Sequence, residues 1–254
     1  MTIRSTSRVL ALAALLLFAA PAASRAAETG EPHKVRVTLA FFTGFQGYSM
    51  DAINDHIASR NAEFEAEPLL AAAGLELDDL KSGSAFGAGI RVWPRRELVL
   101  AADYQRMGGS SSASVPVSAT PGAPSFKAEV KAPAQTVSLS VGYLVDWPSK
   151  TIRFGAAAGG MYILCDGASV LSFPGYKETV ELRGDGFGFQ GLALADFHVS
   201  DTIQFEVGLG YRSGKTGALE NLGTVVLNPD GSEIKADYSG IVTRFGINVP
   251  FGPR

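Results

Sequence analysis

The sequence predicts an all-β fold: an eight-stranded antiparallel up-and-down transmembrane β-barrel with a short helix in its first long external loop. Beyond residue 26 no apolar run approaches the roughly 20 residues that a spanning helix needs, although hydrophobic residues make up 46% of the chain. Those residues recur at every second position, which is the period of a strand. The face opposite them carries glycine and isolated charges, where a face turned to water would carry Lys, Glu and Thr.

The chain opens with Arg4 and Arg8, an apolar run from Val9 to Ala20, Pro21, and the small-residue stretch holding Ser24, Arg25 and Ala26. This is the layout of a secretory signal peptide cleaved after Ala26. Residues 1–26 are therefore expected to be removed and 27–254 to form the barrel. Loss of Arg4, Arg8 and Arg25 takes the formal charge from −3 to −6, which excludes nucleic acid as a partner. With 19% charged residues and 29 glycines the chain is neither disordered nor a disulfide-rich miniature. Its one cysteine, Cys165, reads as a small apolar residue.

The first strand is expected at 34–44. The connection that follows, near 45–83, contains SMDAINDHIASRNAEF, with Met50, Ile53, Ile57 and Ala58 at helical spacing and Ser49 and Asp51 placed to cap. A short amphipathic helix packing over the barrel mouth is expected there. Strands at 84–93 and 96–107 flank a short turn at Pro94 and Arg95, and the next long loop, near 108–133, is rich in Ser, Ala and Pro and reads as mobile. The fourth strand, 134–145, sets Val137, Leu139, Val141, Tyr143 and Val145 against Ser138, Ser140 and Gly142. A short turn near 146–150 leads to a strand at 151–164, and a long loop is expected from Cys165 to Gly184. The sixth strand, 185–199, sets Phe187, Phe189, Ala193, Ala195 and Phe197 against Gly188, Gln190, Asp196 and His198, with Leu192 and Leu194 as exceptions. After a turn near Ser200 and Asp201, the strand at 202–213 alternates most clearly, with Ile203, Phe205, Val207, Leu209 and Tyr211 opposite Gln204, Glu206, Gly208, Gly210 and Arg212. A last long loop, near 214–237, precedes the strand at 238–250. Four long loops thus fall at one end and three short turns at the other, the asymmetry of external loops and periplasmic turns.

Small barrels have interiors just wide enough for side chains to fill, so the glycine-bearing face is assigned to the lumen and the apolar face to lipid. Among those glycines stand Arg36, Arg91, Asp103, Arg153, Asp196, Glu206, Arg212 and Arg244, a candidate lumen charge network. Strand direction puts Arg36, Arg91, Arg153, Asp196 and Glu206 in the periplasmic half and Arg244 nearer mid-height. Opposite charges there can pair and exclude water, as a plug held by Arg and carboxylate hydrogen bonds. Trp93 and Trp147 adjoin short turns in the contexts VWPRRE and DWPSKT. With Phe251 near the same level and Phe41, Tyr104, Tyr162 and Tyr211 at the other, they are expected to form membrane-interface girdles.

Over roughly residues 34–251 this pattern resembles the small eight-stranded outer-membrane barrels, the group that includes OmpX, OmpW and the transmembrane domain of OmpA. The closing TRFGINVPF resembles the aromatic C-terminal signal of that group, with Phe251 as the final aromatic, followed here by Gly252, Pro253 and Arg254. The resemblance implies a bacterial outer-membrane location, contact with outer-membrane lipid, and handling by the barrel-assembly machinery during biogenesis.

No catalytic, cofactor or metal site is expected. His33, His56 and His198 form no spaced motif with Cys, Asp or Glu, and GAGIR is not a phosphate-binding loop. A lipid-modifying Ser, His and carboxylate set would have to lie at the outer lipid face, whereas His198 falls near the periplasmic end. The leading expectation is a non-enzymatic outer-membrane barrel with a narrow, occluded lumen, acting as a structural or adhesive surface protein through loops that meet an extracellular ligand. A narrow conduit for small molecules, a soluble periplasmic lipocalin-like binding barrel and an outer-membrane lipid-modifying enzyme are the alternatives.

Overall fold

The structure, a computed structural model, describes residues 35–118, 123–148, 151–200 and 202–251. The expected signal peptide, residues 1–26, lies outside the described residues, as do His33 and Gly252 to Arg254.

Twelve strands and two helices follow one another: β1 (Arg36–Gly47), α1 (Asp51–Ala66), α2 (Pro68–Ala73), β2 (Ser82–Trp93), β3 (Leu98–Gly108), β4 (Ser110–Pro116), β5 (Ser125–Lys131), β6 (Ala134–Asp146), β7 (Ile152–Phe173), β8 (Tyr176–Ser200), β9 (Ile203–Thr216), β10 (Glu220–Asn221), β11 (Thr224–Val225) and β12 (Gly240–Phe251). The expected eight-stranded up-and-down barrel is thereby corrected. The molecule is one twelve-stranded antiparallel sheet in the order β11-β10-β8-β9-β12-β1-β2-β3-β6-β7-β5-β4. β7 pairs with β6 through Cys165 and with β5 beyond it, and along its other edge with β8, so the sheet curls back on itself around an interior.

Two stretches read as loops are sheet, for a common reason. β8 is 25 residues long, roughly 80 Å at ~3.3 Å per residue, whereas 9–11 residues cross a bilayer. The segment from Cys165 to Gly184 is the far end of the β7–β8 hairpin, closed by Pro174 and Gly175, with Gly175 at φ 83° and Phe173 paired to Tyr176. Proline followed by a left-handed glycine is the chemistry of a type II turn. The serine-rich second connection forms the β4–β5 hairpin, where Ser111 and Val115 on β4 and Ala128 and Val130 on β5 turn the same way and are buried. Small hydroxyl side chains hide that alternation from a hydropathy reading.

These extensions carry a second core. α1 buries Ile53, His56, Ile57 and Phe64, and the first two isoleucines join Leu75, Leu77, Val130, Ile163, Leu182, Leu219, Ile234 and Tyr238 in one apolar cluster. Met50 occupies the N-cap without a side-chain hydrogen bond, so neither Ser49 nor Asp51 caps the helix. What pins the helix is a pair of asparagines two turns apart. Asn61 Nδ2 donates to Leu77 O and its Oδ1 accepts from Leu77 N, both at 2.9 Å, while Asn54 Oδ1 accepts from Leu80 N at 2.8 Å. Each amide does the work of a strand neighbour for a segment that has none, and so holds Leu75, Leu77 and Leu80 against the cap. The long connections are in this way a packed cap over one end of the sheet.

Candidate functional site

The interior beneath the cap is built by strand parity. On β9, Gln204, Glu206 and Arg212 are buried while Phe205, Val207, Leu209 and Tyr211 are exposed. The same rule turns Arg91 on β2, Asp103 and Gln105 on β3, Gln190 and Asp196 on β8, and Arg244 and Asn248 on β12 inward.

Four of these charges form a closed set. Arg91 Nη1 donates to Asp103 Oδ1, Arg244 Nη1 donates to Asp103 Oδ2 at 2.9 Å, and Arg244 Nε lies 2.6 Å from Glu206 Oε1. Arg91 Nε, 3.8 Å from Glu206 Oε2, completes the ring. Phe42 supports it from one side, its ring centroid 3.6 Å from the Arg244 guanidinium. Each carboxylate is shared by two guanidiniums, so the quartet is neutral and tolerates burial. The register makes room for it. Asp103 pairs with Gly89, Glu206 with Gly246 and Arg244 with Gly208. A methyl group at Gly89 would collide with Asp103 Oδ1. Glycine opposite charge is the local rule of this interior.

A second group lies toward the short-turn end. Arg153 donates to Arg96 O, sits 3.3 Å from Asp146 Oδ1 and stacks over Trp93 at 4.2 Å. Asp196 is the cross-strand neighbour of both Arg153 and Glu206. With its amide turned to satisfy its neighbours, Gln204 accepts from His198 Nε2 at 2.9 Å and from half-buried Arg36. Arg212 belongs to neither group. Its Nη1 donates to Gln46 Oε1 at 2.6 Å and its Nη2 to Gln105 Oε1 at 2.8 Å and Gln190 Oε1 at 3.4 Å.

The charges of this interior stand out in the sequence, whereas the neutral groups that hold Arg212, Gln46, Gln105 and Gln190, do not. The parity that turns Asp103 inward turns Gln105 inward too, and that was the available signal. Leu192 and Leu194, the exceptions to alternation in β8, point inward with Trp93, Val99, Leu144 and Val242 as an apolar layer beside the charges.

Of the aromatic residues expected at membrane interfaces, Trp147, Phe41, Tyr104, Tyr211 and Phe251 are exposed. Tyr162 is half-buried, its hydroxyl 2.8 Å from Asp185 Oδ2. Trp93 is corrected: it is 5% exposed because it shares the parity of Arg91, and its ring is the inward platform for Arg153.

Two small cavities lie among these buried side chains. The cavity beside the charge quartet measures about 20 Å³ and the one beside Arg212 about 10 Å³, each about the room of a single water. Among the described residues no three His, Cys, Asp or Glu side chains are grouped to hold a metal ion. Among the described residues no helix is long and apolar enough to cross a membrane.

No protein-family model and no curated protein matches the chain. Among solved structures it is similar to Neisserial surface protein A, at 13% identity over 86% of this chain and 100% of that one, with a TM-score of 0.41. It is also similar to the N-terminal β-barrel domain of Pseudomonas aeruginosa OprF, at 9% identity over 85% and 97% of the two chains with a TM-score of 0.36. Ail, the attachment invasion locus protein of Yersinia pestis, matches at 7% identity over 85% and 97% with a TM-score of 0.34.

Proposed function

We propose that this chain is a non-enzymatic outer-membrane protein, exported by a cleaved signal peptide, whose curled sheet sits in lipid and whose cap is an external surface for structural or adhesive contact. The observation that carries the reading is the inverted polarity of the sheet. Buried positions hold arginines, carboxylates and glutamines, while Phe41, Phe86, Val141, Phe189, Leu209 and Ile241, on six different strands, are between 54% and 73% exposed. Soluble proteins rarely expose contiguous apolar patches beyond a few hundred Å², and lipid is the solvent that suits this one.

The small size of the cavities beside the buried charges, about 20 and 10 Å³, favours a surface role over a conduit. It also disfavours a soluble ligand-binding barrel, whose cavity would have to hold an apolar molecule. The folded cap supports a role for the outer end, since its apolar core presents the exposed side chains of α1, α2 and the β10–β11 turn on a rigid base.

Expression of the full chain in a Gram-negative host tests the proposal. The protein is expected in the outer-membrane fraction, to need detergent for release and to shift mobility on heating. It is expected to leave planar bilayers without stable conductance steps and to raise adhesion of the cells to a host-cell monolayer. Release by osmotic shock would overturn the membrane reading, stable conductance the occluded-lumen reading, and unchanged adhesion the adhesive one.

A further inference from the structure

We propose that the interior binds one small monovalent anion, a halide, against Arg212. The argument begins with a charge count. Among the described residues the buried interior holds four guanidiniums, Arg91, Arg153, Arg212 and Arg244, against three carboxylates, Asp103, Asp196 and Glu206. Asp237, buried in the cap, is paired at 2.7 Å with Lys215 at the surface. Asp103 and Glu206 are used by Arg91 and Arg244, and Asp196 adjoins Arg153. The surplus positive charge is therefore Arg212, which is 1% exposed and forms no ion pair among the described residues.

Neutral amide oxygens hold Arg212 in place but cannot cancel its charge, and a buried uncompensated charge is costly. Tyr48 does not supply the missing charge. Burial pushes its hydroxyl up to about 12, so it keeps its proton.

The local chemistry suits an anion. Arg212 Nε, Gln46 Nε2 and Arg244 Nη2 are buried N–H donors without a hydrogen-bond partner. Arg212 and Arg244 both line the 10 Å³ cavity, together with Gln105, Gln190, Thr43 and Phe42. That space admits one small species. Phosphate or sulfate would not fit, and a halide, which only accepts hydrogen bonds, answers both the surplus charge and the surplus donors. A bound halide would tie Arg244 on β12 to Arg212 on β9, both of which line the cavity, so its occupancy is expected to raise the stability of the whole chain.

The test uses the purified full chain in detergent micelles, unfolded by heat in sodium chloride, sodium bromide or sodium gluconate at equal ionic strength. Tm is expected to rise saturably by about 2–4 °C with chloride or bromide once either exceeds its dissociation constant several-fold, and to stay level in gluconate. Arg212→Gln is expected to abolish the difference and Lys235→Gln, at the cap surface, to preserve it. Crystals grown in bromide are expected to show an anomalous peak in the cavity against Arg212. Equal Tm in chloride and gluconate, an undiminished halide effect in Arg212→Gln, or density for water alone in the cavity would each overturn the site. Should Arg212→Gln fail to fold, the bromide crystals of the unaltered chain decide.

Discussion

Gly89 faces Asp103 directly across the β2–β3 ladder, and the space a side chain would take at Gly89 is already filled by the Asp103 carboxylate. The backbone oxygen of Ala102 also crowds that position, 2.6 Å from where a Cβ would lie. Gly89→Ala is therefore expected to destabilise the protein by about 1–3 kcal/mol, the usual cost of overpacking. Asp103→Ala alone is expected to cost more, because it strands Arg91 and Arg244, and the double variant is expected to lose less than the sum of the two single losses. A double-mutant cycle of urea unfolding in detergent would measure the coupling, and strictly additive losses would mean that the two residues do not share this space.

Removing one member of the charge quartet strands its partners. Asp103→Asn leaves Arg91 and Arg244 with Glu206 alone between them and is expected to cost about 3–5 kcal/mol. Glu206→Gln should cost a similar amount. Neither change empties the lumen, so planar-bilayer recordings should show no new conductance. A steady current from the Glu206→Gln protein would identify the quartet as a gate.

Leu222 sits at φ 53° and is 89% exposed at the tip of the β10–β11 turn, next to Gly223 at φ 85°. A left-handed conformation brings the Cβ of an L-residue too close to the following carbonyl oxygen, at a cost of about 1–2 kcal/mol. Leu222→Gly is thus expected to stabilise the cap by about 1 kcal/mol. Slower amide exchange at β10 and β11 is the readout, and faster exchange would mean that the leucine side chain makes contacts that outweigh its backbone strain.

His56, on the buried face of α1, shares a 3.4 Å hydrogen bond with Ser169 Oγ. Burial first and the charge of Arg60 second lower its pKa, against a smaller opposing effect of Glu63. The folded cap therefore holds neutral His56 at pH values where the unfolded chain has taken up a proton. Above about 6.5, the ordinary histidine value, both states are neutral and the residue contributes no pH dependence. As pH falls below that point the cap is expected to lose stability, until the lowered folded pKa is reached. Amide exchange across α1 at pH 7.5 and 5.5 checks this, and His56→Gln should flatten the difference.

Local alternation determined much of the architecture on its own. In β9, five apolar residues at every second position mark one face and Glu206 and Arg212 the other, because a strand's side chains must alternate whatever it packs against. The stretch holding Met50, Ile53 and Ile57 declared a helix by the same kind of local period, and α1 forms there.

Period alone could not say where a strand stops or which strands meet. The β7–β8 hairpin continues to Pro174 and Gly175 because its outer part finds a second core in the cap, a long-range partner invisible to local pattern. The β4–β5 hairpin exists for the same reason, its small serines reading as loop until β7 pairs beside β5. Nearness to a turn points Trp93 to the membrane interface, while its parity with Arg91 puts it inside. Which charges share a face follows from sequence. That Arg91, Asp103, Glu206 and Arg244 close a ring, and that Arg212 is left to glutamines, was decided by the register of four strands around a narrow interior, where each contact depends on residues far apart in the chain.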